Sequence, residues 1–468
     1  MLPQLSDMQA SLTLIERLIA LAARPMDIGQ HMVQVSASVG VTYYPQAEEV
    51  DGDLLMRQAD MAMYQAKVAG RNCYRIFDIE HDRSLRGHHE DMKNIEQALV
   101  RGEFQLYYQP KVNMRSGELI GVEALIRWQH PERGLLSPAM FLSVTENNAL
   151  SVTLGEWVIN AALAQMKTWQ SAGLHIPVSV NVSGYHLLQD NFVSRLTQLL
   201  SECPEVSPDM LELEVLESNA LGDLSKVAHV INDCKKAGVT FALDDFGTGY
   251  SSLTYLKHLQ AVTLKIDQSF VLDMLEDPED LAILEGVLGL ARAFRRQAVA
   301  EGVETLEHGE MLLNMGCEIG QGYAIAYPMP AELLPEWVAH WRPDGTWQTA
   351  TPFGIRNLPY IYAIVEHRAW IRAFEAALKG ERESPPTLDS HQCNFGRWID
   401  AELNAGARTE PGFAKADACH VKLHDLSVQM HLLYTQGRGA EALAQMENLR
   451  EASRDLVIEM KQLMMSGI

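Results

Sequence analysis

Between about residues 104 and 330, short apolar runs alternate with longer stretches of helical periodicity, the rhythm of βα units around a parallel sheet. Eight runs are readable: FQLYYQ, ELIGVEALI, PVSVNV, MLELEV, TFALD, VTLKI, AVAEG and CEIGQ. At their C-terminal ends stand Glu123, Asn181, Glu214, Asp244, Lys265, Glu301 and Gln321. A TIM-like (β/α)8 barrel gathers all such ends on one rim, where these barrels place their chemistry. A doubly wound open sheet shows the same alternation, but its outer strand ends lie far apart and its polar residues would not share one small site. The expected class is therefore α/β with a barrel at its centre.

The pattern changes on either side of this region. After Pro330 the stretch WRPDGTWQTATPFG is rich in Pro, Gly and Thr and reads as a boundary. Beyond it, residues 358–379, 413–435 and 440–464 show helical periodicity without strand signals, as in a small all-α bundle. At the other end, SASVGVTYYP reads as a strand and LLMRQADMAMYQAKVAGRN as a helix ending at Gly70, with Lys67 and Arg71 near its negative end. The expected division is an N-terminal partial α+β fragment over 1–85, the barrel over 86–345, a linker over 346–357 and a helical domain over 358–468. No repeat of fixed period or low-complexity tract is visible.

With 468 residues, the chain has room for two or three cores, since single cores stop growing near roughly 250 to 300 residues. No apolar run approaches the roughly 18 residues needed to cross a bilayer, and the N-terminus lacks a charged region followed by an apolar one. A cytoplasmic protein with no membrane partner is expected. The net charge of −23 opposes broad contact with a nucleic-acid polymer or an anionic membrane. Six cysteines without a Cys-x-x-Cys pair make reduced thiols the default reading.

The chemistry concentrates at Asp244-Asp245-Phe246-Gly247-Thr248-Gly249-Tyr250, two carboxylates followed by a glycine-rich turn. Carboxylates are hard oxygen ligands suited to Mg²⁺ or Mn²⁺, and two such ions can clamp the attacking and leaving oxygens of a displacement at phosphorus. Glu123, Asn181, Glu214, Asp244, Asp245 and Glu301 are enough for two open coordination spheres. Neighbours on a strand point to opposite faces, so Asp244 and Asp245 can share a metal pair only if the strand ends there; Gly247 and Gly249 permit that break. Lys265 has two equal readings: an ammonium holding the nucleophilic water, or a salt bridge to Asp244 or Asp245.

These residues also carry a family resemblance. Glu123-Ala124-Leu125 with Ile126-Arg127-Trp128, then Asn181-Val182-Ser183, Glu214-Val215-Leu216-Glu217-Ser218, DDFGTGYSSL from Asp244, Lys265-Ile266-Asp267, Glu301-Gly302-Val303-Glu304 and Gln321-Gly322-Tyr323 resemble the EAL family of cyclic-di-GMP phosphodiesterases over about residues 90 to 342. The tripeptide alone is weak, since Glu441-Ala442-Leu443 repeats it inside an amphipathic helical stretch; seven motifs in order are not. The resemblance implies that Glu123, Asn181, Glu214 and Asp244 hold one Mg²⁺ or Mn²⁺, and Asp244, Asp245 and Glu301 the second. It places Lys265 at the attacking water, with Glu301 or a metal hydroxide as the proton acceptor. Glu217 would brace the DDFGTG loop. Gln109, Arg127, Glu304, Gln321 and Tyr323 match substrate contacts, Tyr323 having a second reading as a structural aromatic. Val215 and Leu216 stand where the family often has a threonine, and neither is a ligand position. The implied reaction opens cyclic di-GMP to linear pGpG. A non-catalytic receptor for the dinucleotide, the reading from another class, predicts loss of a metal ligand, yet every matching position is filled.

His420 and His424 share a helical face at i and i+4, with His431 seven residues further on along that face as a rival ligand. Sixteen histidines make such a pair common by chance, but the set His367-Arg368-Ala369-Trp370, Cys393-Asn394-Phe395-Gly396-Arg397-Trp398, His420 and His424 resembles the CZB family of helical zinc-binding domains over about residues 355 to 468. It implies one Zn²⁺ on His367, Cys393, His420 and His424, a satisfied tetrahedral set, with His391 as a rival. It also suggests zinc- or redox-dependent regulation and a homodimer through the barrel, including its DFGTGYSS loop, or through the helical domain. The N-terminal piece resembles the last third of a GGDEF diguanylate cyclase domain without its signature, so no cyclase activity is expected of it.

Overall fold

The computed structural model describes residues 8–28, 31–46, 50–217, 224–248, 256, 263–352, 357–404 and 411–466. The chain forms two compact units, Met1–Asn94 and Ile95–Ile468. In the first, helix α1 (Met8–Ala22) precedes strands β1 (Met26–Ile28) and β2 (His31–Val33), which pair antiparallel. Strand β3 (Val39–Val41), helix α2 (Gly52–Val68) and strand β4 (Tyr74–Ile76) form one right-sized βαβ unit, with β3 and β4 parallel. Asp51 starts α2 by accepting from the Leu54 N–H at 2.7 Å, and Gly70, at φ +113°, turns the chain after it. Helix α3 (Ile79–Arg101) follows.

The second unit contains the eight expected runs as eight barrel strands. These are β5 (Phe104–Asn113), β6 (Leu119–His130), β8 (Val178–Asn181), β9 (Leu211–Leu216), β10 (Thr240–Phe246), β11 (Thr263–Ile266), β12 (Gln297–Ala300) and β13 (Ile319–Gly320). Strands β7 (Gly134–Leu136) and β14 (Met329–Pro330) extend the edges, and pairing of β5 with β6 closes the barrel. The expectation of a uniformly parallel sheet is corrected at β5, which runs antiparallel to both neighbours. The reason is local: the turn from Asn113 to Glu118, closed by the Asn113 N–H on the Glu118 carbonyl at 2.9 Å, is too short for the crossover that parallel strands need.

Helices α4 (Ala149–Ser171), α5 (Gly184–Leu187), α6 (Phe192–Glu202), α7 (Leu224–Lys236), α8 (Gln268–Asp273), α9 (Pro278–Phe294), α10 (Leu306–Asn314) and α11 (Leu334–His340) accompany the strands. Side chains alternate along each strand: on β5, Tyr108 packs edge-on against Trp169 of α4, with ring centres 4.8 Å apart, while Gln109 and Lys111 turn toward the barrel interior and its polar groups.

The segment expected as a linker is partly built into this unit. Asp344 caps a short helix α12 (Gly345–Thr349), and the buried Trp347 donates from Nε1 to the Leu306 carbonyl at 2.8 Å. Its ring leaves no space for a side chain at Gly309 of α10, where a Cβ would lie 2.3 Å away.

The C-terminal helices are α13 (Leu358–Lys379), α14 (Asn394–Asn404), α15 (Pro411–Thr435), α16 (Gly439–Ala444) and α17 (Met446–Ser466). Ile361, Ile364, Val365, Ile371, Phe374 and Leu378 give α13 its buried stripe, and Gly380 ends it at φ +77°. Helix α13 packs on α9 of the barrel. Tyr362 donates to Glu285 at 2.7 Å, Arg368 pairs with Glu307 at 2.5 Å and Arg372 with Glu276 at 3.0 Å. Among the described residues, no helix is long and apolar enough to cross a membrane.

Candidate active site

At one mouth of the barrel a cleft of about 200 Å³ is lined by Gln109, Glu123, Asp244, Lys265, Glu301, Glu304, Gln321 and Tyr323, among others. Lys265 stands at its base, fully buried. Its Nζ lies 3.3 Å from Glu123, 2.6 Å from Glu214, 3.0 Å from Asp244 and 2.5 Å from Glu301. Strands from opposite sides of the barrel thus converge on one ammonium. Burial by itself would strip the proton from Lys265, but these four carboxylates hold it charged well above the usual lysine range.

The amides orient the acids. Asn181 donates from Nδ2 to Glu123 at 2.7 Å, which turns its carbonyl oxygen away as a free acceptor. Gln321 donates from Nε2 to both Glu123 and Gln109, at 2.7 and 3.0 Å, and Gln109 donates to the Ala326 carbonyl at 3.0 Å.

Asp244 and Asp245 come together by a device the residue pattern did not reveal. Strand β10 continues through both to Phe246, instead of ending there, with its register against β11 broken between Leu243 and Phe246. Asp245 takes φ +53° and Gly247 φ +108°, so a bulge swings the second carboxylate onto the face of the first. Ligand oxygens of Asp244, Asp245 and Glu301 then lie within 4.8 Å of one another. Burial, and then the Asp244 charge, push the Asp245 carboxyl up to about 7. Glu217 accepts from the Gly247 N–H at 2.9 Å and so ties down the turn. Ser218 and the GYSS portion of the loop lie outside the described residues.

Burial and the neighbouring acids raise the Glu301 and Glu214 carboxyls above their ordinary range. Five acids, four of them sharing the Lys265 ammonium, leave the cluster short of positive charge, and its donors are all hard oxygens. Those are the properties of a site for Mg²⁺ or Mn²⁺.

Of the remaining expected contacts, Glu304 is exposed at the cleft wall. Tyr323 is half exposed and stacks on Tyr327, ring centres 4.3 Å apart. Arg127 lies over the Tyr107 ring at 5.7 Å and donates to the Ile126 carbonyl at 2.9 Å, with its charge near Tyr323 and Glu123 of the cleft. Gln268, which lines the cleft, was not singled out in the sequence; it follows Asp267, the N-cap of α8.

In the helical bundle, α13 brings His367, the N-terminus of α14 brings Cys393, and α15 brings His420 and His424, all buried. Ring nitrogens of the three histidines lie within 4.8 Å of one another, and Cys393 Sγ is 3.2 Å from His420 Nε2. His424 Nδ1 is 2.9 Å from the Leu388 carbonyl, so it carries the hydrogen and leaves Nε2 as a lone pair. The Nε2 atoms of His367 and His424 are buried without a hydrogen-bond partner. Burial, then mutual repulsion, holds His367 well below its usual range and His420 at about 3. Three neutral imidazoles, two with orphaned nitrogens, and a thiol beside the third are a donor set suited to Zn²⁺, although the structure groups only the three histidines within 4.8 Å of one another. Burial pushes the Cys393 thiol up, and the Gly396 N–H, which donates to Cys393 Sγ at 3.1 Å, offsets part of that rise. His391 is exposed and pairs with Asp400 at 3.0 Å, and His431 lies against Tyr434, so neither rival joins the set.

Known proteins resemble the chain in these same regions. The bifunctional diguanylate cyclase/cyclic di-GMP phosphodiesterase MucR of Pseudomonas aeruginosa is 39% identical over 329 residues, 70% of this chain and 48% of that protein. The cyclic di-GMP phosphodiesterase PdeR of Escherichia coli is 34% identical over 326 residues, 69% of this chain and 48% of that protein. The chain thus spans about half the length of these curated relatives. A solved structure described as the PaMucR phosphodiesterase in a c-di-GMP complex is 40% identical, with a TM-score of 0.51, covering 52% of this chain and 99% of that one. Residues 367–430 match the chemoreceptor zinc-binding domain and residues 1–73 the diguanylate cyclase GGDEF domain. Residues 92–328, the barrel with its cleft, match the EAL domain, and the chain belongs to the EAL-domain family.

Proposed function

We propose that the barrel hydrolyses cyclic di-GMP to linear pGpG with the help of two divalent cations. The observation that carries this reading is the convergence of Glu123, Glu214, Asp244 and Glu301 on Lys265 Nζ within one cleft. The names of the MucR and PdeR relatives support the substrate. Glu123, Asn181, Glu214 and Asp244 would hold one Mg²⁺ or Mn²⁺, and Asp244, Asp245 and Glu301 the other. Such a pair, when bound, supplies an acidified water and neutralises charge on the phosphate oxygens.

The chain's own groups do the rest. Gln321 and Gln109 fix the Glu123 carboxylate, and Glu217 fixes the turn that presents Asp245. Lys265 would hold the attacking water, and Glu301, 2.5 Å from its Nζ, would take the water's proton. Attack at phosphorus forms one P–O bond and breaks the bond to the 3′ oxygen, which opens the ring. Glu304 and Tyr323 at the wall of the cleft are positioned for substrate contact. Arg127, whose charge lies near Glu123 and Tyr323, would pair with a phosphate oxygen.

Incubation of the purified chain with cyclic di-GMP and Mg²⁺ or Mn²⁺, beside a Glu123→Ala control, tests this. Linear pGpG from the parent alone is the expected result. Binding without product would instead favour a receptor.

We further propose that zinc on His367, Cys393, His420 and His424 regulates the barrel. Helix α13 supports this, because it carries His367 and, one residue on, Arg368 bonded to Glu307 in the first turn of α10. Removing zinc should change turnover in the parent and change it less in Arg368→Ala. Turnover unmoved by chelation in the parent would end the regulatory reading while leaving the hydrolytic one intact.

A further inference from the structure

Beneath the cleft lies a second polar layer, built from residues two places along each strand from the site residues. Lys111 stands two from Gln109, Ser179 two before Asn181, Glu212 two before Glu214 and Thr263 two before Lys265. Lys111 is only 4% exposed, and its ammonium has three partners: Ser179 Oγ, Glu212 Oε1 at 2.9 Å and Glu214 Oε1 at 3.2 Å. Glu212 is equally satisfied, accepting also from Ser179 at 2.7 Å and from Thr263 at 2.8 Å. Barrel interiors at this depth are ordinarily filled by branched apolar chains. A buried ion pair is a poor source of stability compared with such packing, so its presence calls for another role.

The contacts of Glu214 indicate that role. Its two oxygens are divided between the lysines, Oε1 on Lys111 and Oε2 on Lys265 at 2.6 Å. Lys265 is shared among four acids of the cleft, whereas Lys111 touches only Glu214 of that set among the described residues.

We infer that Lys111 is a positioning residue: it grips one oxygen of Glu214 from below and aims the other into the cleft, whatever cation is there. Glu212, Ser179 and Thr263 complete the mount. Lys111 meets no substrate and takes no part in the chemical step. The inference rests on the reading of Glu214 as a ligand to a divalent cation.

The test is Mn²⁺ binding to the chelator-stripped full chain, measured calorimetrically without nucleotide. Lys111→Met alone leaves the half-buried Glu212 carboxylate without its ion partner, so the decisive variant is Lys111→Met with Glu212→Gln, which keeps the layer neutral. Partners of metal ligands typically contribute about 10- to 100-fold in metal affinity. The double variant should therefore melt near the parent and bind Mn²⁺ more weakly by that factor, with a matching rise in the Mn²⁺ needed for half-maximal turnover.

A folded double variant with parental Mn²⁺ affinity would overturn the inference. So would a double variant that fails to fold, since the pair would then be serving the core and not the site. A parent that binds no Mn²⁺ would instead remove the underlying reading of Glu214.

Discussion

Replacing Lys265 with Met deletes the ammonium shared by Glu123, Glu214, Asp244 and Glu301, and substitutes an apolar chain of similar length. The Nζ lies 2.5 to 3.3 Å from all four carboxylates and is fully buried. Removing one partner of a buried ion pair costs about 3–5 kcal/mol, because the other charge stays behind unpaired. At roughly 2 °C per kcal/mol for a unit of this size, the metal-free variant should melt about 6–10 °C below the parent. Added Mn²⁺ should then separate the two proteins further. A ligand at a hundredfold excess over its Kd stabilises by about 2.7 kcal/mol. In the parent that ion must share its carboxylates with Lys265, while in the variant it supplies the missing charge. The rise in melting temperature across an Mn²⁺ titration should therefore be larger in the variant, even though hydrolysis stays low. Differential scanning fluorimetry of chelator-stripped protein, without nucleotide, measures both quantities. A metal-free variant that melts with the parent, or an equal Mn²⁺ gain in both, would refute the claim that Lys265 and the cations serve the same carboxylates.

Trp347→Ala should cost about 3–5 kcal/mol through the cavity it opens, and Gly309→Ala about 1–3 kcal/mol by crowding the same indole; urea melts of the double variant should show less than the sum, because the two sites touch. In the bundle, His424→Ala should lower bound zinc, read by metal release to a chromophoric chelator, while His391→Ala leaves it unchanged, since His391 faces Asp400 at the surface. Burial depresses the pKa of His186 to about 4, below the ordinary 6.5. Between those values the unfolded chain takes up a proton that the folded chain refuses, so stability is present above pH 6.5 and falls as the pH drops toward 4. The loss amounts to about 3 kcal/mol, and urea midpoints of His186→Gln, compared with the parent, should lack that component.

Much of the site was legible because strand periodicity is a property of sequence. Most of the apolar runs end in polar residues, which a closed barrel brings together. Glu123 and Gln109 stand in the middle of the long strands β6 and β5, whereas the runs place Glu123 at an end. The same period, carried two residues further, points to Lys111, Ser179, Glu212 and Thr263. A lysine following YYQP reads as surface from sequence, because its partners Ser179, Glu212 and Glu214 lie on two other strands. The antiparallel course of β5 was readable in the short turn after Asn113, but a uniform βα rhythm hid it. The bulge at Asp245 was not readable, since a left-handed aspartate leaves no mark in composition or spacing.

What the sequence determined alone was the inventory: which side chains alternate inward, which helical faces carry histidine, and which residue types are hard or soft ligands. These follow from local geometry, since two-residue and 3.6-residue periods need no knowledge of the remaining chain. Tertiary structure decided which groups share a charge. It set four acids around Lys265, divided Glu214 between two lysines, left His391 outside the buried histidine cluster and moored α13 to the barrel. Electrostatic partners and orphaned nitrogens depend on distances between segments far apart in the chain, and only closure of the barrel and packing of the bundle establish those distances.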